Sequence, residues 1–73
     1  MTTDERIEDI MTAADDWSHT ALCDLGVRLN EYSRTVREFA YGRMLAMIDE
    51  IGYHPVVALD KAYHECRQLF GTR

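Results

Sequence analysis

Between residues 17 and 26 the chain reads WSHTALCDLG, placing a tryptophan, a histidine, a cysteine and an aspartate close together. On a helix, His19 and Cys23 lie four residues apart and share a face, so imidazole and thiolate could reach one ion. Zinc accepts that pair, yet it takes four ligands, and structural zinc sites usually carry close cysteine pairs. His64 and Cys66 resemble the missing half, but a two-residue spacing puts them on opposite sides of a helix. His64 is better matched to Asp60, four residues earlier, as a surface pair. Asp16 and His19 have the three-residue spacing of carboxylate-bridged metal bundles, without the inward-facing glutamates those need. The commoner origin of such a strip is a small thiol packed beside a hydrogen-bonded histidine, with Gly26 admitting a neighbouring helix. The first reading therefore expects no metal and no cofactor, and His19 and Cys23 remain the metal candidates of a second.

Catalysis has little to stand on. A nucleophile and base need an orienting third group and an oxyanion donor, and no local signature supplies them. Gly26, Gly42, Gly52 and Gly71 are isolated, so no phosphate loop is present. Asp15 and Asp16, like Asp49 and Glu50, are neighbours whose side chains diverge on a helix. The chain reads as a non-enzyme. A Cys23–Cys66 disulfide is allowed by count, but the expected compartment argues against it.

Charge points toward a protein partner. The net charge is −5, and residues 1–24 hold seven acids against one base, while residues 25–48 hold two acids against four bases. A net-acidic chain repels phosphate backbones, so direct nucleic-acid binding is not expected. Acids at Asp4, Glu5, Glu8, Asp9, Asp15 and Asp16 suit a basic partner surface. The same acids early in a helix would also offset its dipole. Arg34 can pair with Glu38, whereas Arg37 and Arg43, with Tyr41 nearby, are less accounted for. They carry a weaker alternative, a helical DNA-binding regulator. Trp17 and Tyr41 fall off the apolar stripes and are the aromatic candidates for partner contact. Met47, Tyr63 and Phe70 are assigned to the core.

The elements that must position these residues are helices. Ile7, Ile10, Met11 and Ala14 form one stripe, with Thr3 as the expected N-cap. Leu22, Leu25, Leu29, Tyr32, Val36 and Phe39 follow at heptad spacing, and Ala40, Met44, Met47 and Ile51 carry it onward. Gly52 stands where a left-handed cap belongs, and Pro55 opens a last helix whose face is Leu59, Ala62, Tyr63, Cys66, Leu69 and Phe70. A single helix over 4–51 would be about 72 Å long, against a radius of gyration of about 11 Å for a compact chain of this size. Breaks are expected at DDWS, capped by Asp16 or Ser18, and at NEYSRT, where Thr35 and Glu38 could form a capping box. Against the second break, the seam runs through it in phase. No strand signal competes.

These observations set the expectations. The fold is all-α, one domain over 1–73, a small antiparallel bundle of three or four helices spanning about 4–15, 17–31, 34–51 and 55–70. A core this small is thin, so a homodimer is expected to complete it. The function is that of a protein–protein interaction module, a small bacterial or phage regulator or inhibitor that docks through an acidic helical face. Its basic partner surface could belong to a nucleic-acid-binding protein. The alternative is a small metal-binding helical protein using His19 and Cys23. No membrane span or signal peptide is read, and a cytoplasmic location follows.

Overall fold

Each of the four α-helices begins after a residue whose side chain takes up an orphan backbone N–H. The computed structural model describes residues 2–71. It contains α1 (Thr3–Ala13), α2 (Asp16–Leu29), α3 (Arg34–Ala46) and α4 (Pro55–Phe70), with no strand among the described residues. The caps are Thr2, Asp15, Ser33 and His54, which accept from the N–H groups of Glu5, Ser18, Val36 and Val56. Three of them lie earlier than expected. Thr3, Asp16 and Thr35 are already helical, and Ser18 lies inside α2 as the donor to Asp15. The expected capping box at Thr35 does not form, because Ser33 is the cap and Thr35 is already helical; Glu38 pairs with Arg34 at 3.2 Å.

Asp15 ties its helix to pH. Its carboxylate accepts from the Ser18 backbone N–H at 2.7 Å, and that bond, then one from the Ser18 side chain, holds the carboxyl below its ordinary range. A carboxyl lowered by folding adds stability above its unfolded pKa, about 3.9. That stability is lost as pH falls through the folded value. Asp49, lowered by its bond to Arg6, acts with the same sign. Thermal melts below about pH 4 should therefore lose stability, and Asp15→Asn, which caps without titrating, should flatten the slope. An unchanged slope would remove Asp15 as a contributor.

The chain turns at Asn30–Ser33, so the heptad seam is two helices and not one. Leu29 and Ala40 on either side of the turn are both fully buried. Phase is preserved because both helices press their stripes into one core; periodicity alone does not distinguish that from continuity. A second departure follows Ala46, where α3 widens into a π-helical turn over Met47–Ile51. Its i→i+5 bonding shifts the phase of the stripe. Met47 is buried, but Ile51, expected on the stripe, is exposed. Gly52 closes the turn at φ 86°, the left-handed conformation that glycine adopts freely. Its N–H and that of Tyr53 both donate to the Met47 carbonyl, as a C-terminal cap requires.

α4 packs chiefly on α3 and next on α2. α3 and α4 run in opposite senses, since Phe39 meets Phe70 and Arg43 pairs with Glu65. Ala40, Ala58 and Ala62 are fully buried and let the helices approach, while Leu22, Leu29, Met44 and Leu59 fill the centre. α1 contributes no fully buried residue; Ile7, Ile10 and Met11 pack half-buried against the others. The radius of gyration is 11.5 Å.

Candidate partner-binding surface

α1 turns its one base inward and its acids outward. Arg6 forms a two-pronged ion pair with the Asp49 carboxylate in the middle of the π turn that follows α3. Asp4, Glu5, Glu8 and Asp9 are all exposed, and among the described residues none has a cationic partner. Apolar Ile7, Ile10 and Met11 face the rest of the molecule, so 3.6-residue periodicity leaves the carboxylates on the solvent side. The dipole at the helix start favours Asp4 and Glu5 there, whatever else they do.

The acidic stretch continues across the α1–α2 corner. Asp15 and Asp16 are exposed, although Asp15 is occupied as the α2 cap. Trp17 follows in the first turn of α2 with 70% of its surface exposed. Ser18, next in sequence, is the buried residue of that turn, and this fixes the tryptophan on the outer side. A large ring with most of its surface in water beside carboxylates combines apolar area with a polar tip.

Tyr41 is placed otherwise than its off-stripe position suggested. It is half-buried, packs against the core, and lays its hydroxyl over Gly26, 3.3 Å from where a Cβ would stand. Burial pushes its phenol pKa up. Gly26 thus admits a neighbour as expected, and that neighbour is Tyr41 of α3.

His19 Nδ1 and Cys23 Sγ are 3.7 Å apart, both exposed. Among the described residues no group of three or more histidines, cysteines, aspartates or glutamates is assembled as a metal cage. His64 stands 3.5 Å from Asp60, the surface pair its spacing implied. The three arginines of the DNA-binding alternative are engaged: Arg34 with Glu38, Arg43 with Glu65, and Arg37 through a 3.2 Å bond to the Tyr32 carbonyl.

Both cysteines are free thiols, Cys23 exposed and Cys66 buried, with burial raising the Cys66 pKa. Alkylation should therefore modify Cys23 promptly and Cys66 only through opening of the fold. Denaturant should equalise the two rates; equal rates without it would put Cys66 at the surface.

Several exposed apolar groups escape the stripe reading. Val27 lies on the outer side of α2, and Leu69 and Phe70 were expected in the core. Leu69 is 65% exposed, and Phe70 is 44% exposed while meeting Phe39 edge-on at 5.6 Å between ring centres. They continue the apolar stripe of α4 into its last turn, where among the described residues only Phe39 is seen to meet Phe70 and both side chains stay largely exposed. Among the described residues no helix is long and apolar enough to cross a membrane. The chain matches no family profile, and neither a curated protein nor a solved structure shows significant similarity to it.

Proposed function

We propose that the chain is a non-enzymatic protein–protein interaction module, a small regulator or inhibitor of bacterial or phage type. It docks on a basic surface through Asp4, Glu5, Glu8, Asp9 and Asp16, with Trp17 as the apolar anchor. The observation that carries this reading is Trp17, held 70% exposed beside two aspartates in a helical turn whose core residue is Ser18. Tyr41, half-buried over Gly26, is dropped from the contact set. If the partner binds nucleic acid, the carboxylates occupy the place of phosphates. Screening shortens the reach of exposed charges to about 10 Å at 0.1 M salt and 3 Å at 1 M.

The test is capture of partners from cell extract on the immobilised wild-type protein, followed by titration of the purified partner at rising salt. Affinity is expected to fall steeply with salt and to drop further when Glu8 and Asp9 are reversed to lysine. A complex indifferent to salt and to charge reversal would remove the acidic face from the mechanism.

The closeness of His19 and Cys23 favours a second reading, a metal site completed by another chain. Metal analysis of untagged protein, as isolated and after zinc loading and desalting, decides it: retained zinc lost in Cys23→Ser supports the site, and no retention sinks it.

A further inference from the structure

The space beneath α1 is not filled. A cavity of about 150 Å³ lies there, roofed by Ile7, Ile10 and Met11 and floored by Leu22, Met44 and Leu59. Every one of these walls is hydrocarbon or thioether. Enclosed apolar cavities of about this volume take up benzene-sized molecules, because water finds few partners in them, and this one offers the same kind of walls while opening at one edge. The surrounding atoms forgo dispersion contacts on the empty side, so a matching apolar guest restores them.

Two polar groups mark one edge. Cys23 lines the cavity and is also exposed, so the space reaches the surface there. Tyr41 also lines the cavity and brings its hydroxyl over Gly26, so a hydrogen-bonding group stands at this edge. Glycine at 26 keeps this corner open, since any side chain would grow toward the Tyr41 oxygen. The chemistry selects against charge, because an ion would leave water for walls that cannot solvate it. We infer that this cavity binds a small neutral ring compound carrying a single hydroxyl, its ring under α1 and its hydroxyl on Tyr41. The site is independent of the docking surface at Trp17, and either can fail without the other.

The probe is benzyl alcohol, titrated into protein with isotope-labelled isoleucine and methionine methyl groups. Saturable shifts are expected at Ile7, Ile10, Met11 and Met44, with Ile51 unmoved and benzoate inactive at the same concentrations. Alkylation of Cys23 should slow several-fold at saturation while Cys66 keeps its rate. Tyr41→Phe should weaken binding by roughly fivefold, the worth of one neutral hydrogen bond, and Gly26→Leu should abolish it. Should Gly26→Leu fail to fold, the wild-type titration and the Cys23 rate decide alone. Shifts that stay linear to the solubility limit, equal binding of benzoate, or an unchanged Cys23 rate would each overturn the inference.

Discussion

Leu29→Ala is expected to cost about 2–5 kcal/mol of folding stability, among the largest losses available to a single truncation here. Leu29 is fully buried in the last turn of α2, immediately before the chain reverses toward α3. Removing its branched end takes away contacts and leaves a hole that the Asn30–Ser33 turn is poorly placed to close. A single core in a chain of this size rarely supplies more than about 3–5 kcal/mol in total. The variant should therefore be largely unfolded at room temperature, where the wild type is folded. Urea unfolding followed by circular dichroism measures this. A loss under about 1 kcal/mol, well below the usual Leu→Ala range, would mean that Leu29 does not sit in a packed core.

Trp17→Ala should do the opposite, leaving the fold and removing the partner. With 70% of its surface in water, Trp17 contributes little to the core, so the melting temperature should hardly move. At an interface the same truncation of an aromatic anchor costs about 2 kcal/mol or more, which is roughly a thirtyfold loss of affinity. Titration calorimetry against the captured partner, with circular dichroism on the same samples, reads both. If affinity survives with the fold intact, the anchor lies elsewhere, and Val27 or the Leu69–Phe70 end becomes the surface to mutate. If the fold collapses, Trp17 belongs to the packing of the helices and not to a docking surface.

Local features were legible because their physics is local. Gly52 and Pro55 marked the α3–α4 boundary, since a left-handed cap and an N–H-free first position depend on neighbours within a turn. The pairs Arg34–Glu38 and His64–Asp60 followed from spacing alone. The same holds for Trp17 and Cys66, one off the stripe and exposed, the other on it and buried. Caps were placed a residue or two late, because several adjacent Thr, Ser and Asp residues can each serve and only backbone conformation chooses among them.

What tertiary structure decided involves residues far apart in the chain. Tyr41 is off the main stripe yet half-buried, because α3 touches α1, α2 and α4 and its covered arc is wider than one stripe. Leu69 and Phe70 err the other way: they lie on the apolar stripe, but among the described residues no element covers them fully. Arg6 finds Asp49 across 43 residues and Arg43 finds Glu65 across 22, pairings that no spacing rule reaches. The cavity under α1 likewise depends on how four helices meet. The sequence by itself determined an all-α chain of three or four helices and its acidic leading face, since periodicity, caps and charge are properties of short stretches; that the seam breaks at Asn30–Ser33 was decided by packing. Which side chains were left in water, which arginines were neutralised and where space remained were decided only by packing, because each is set by the neighbour that arrives from elsewhere.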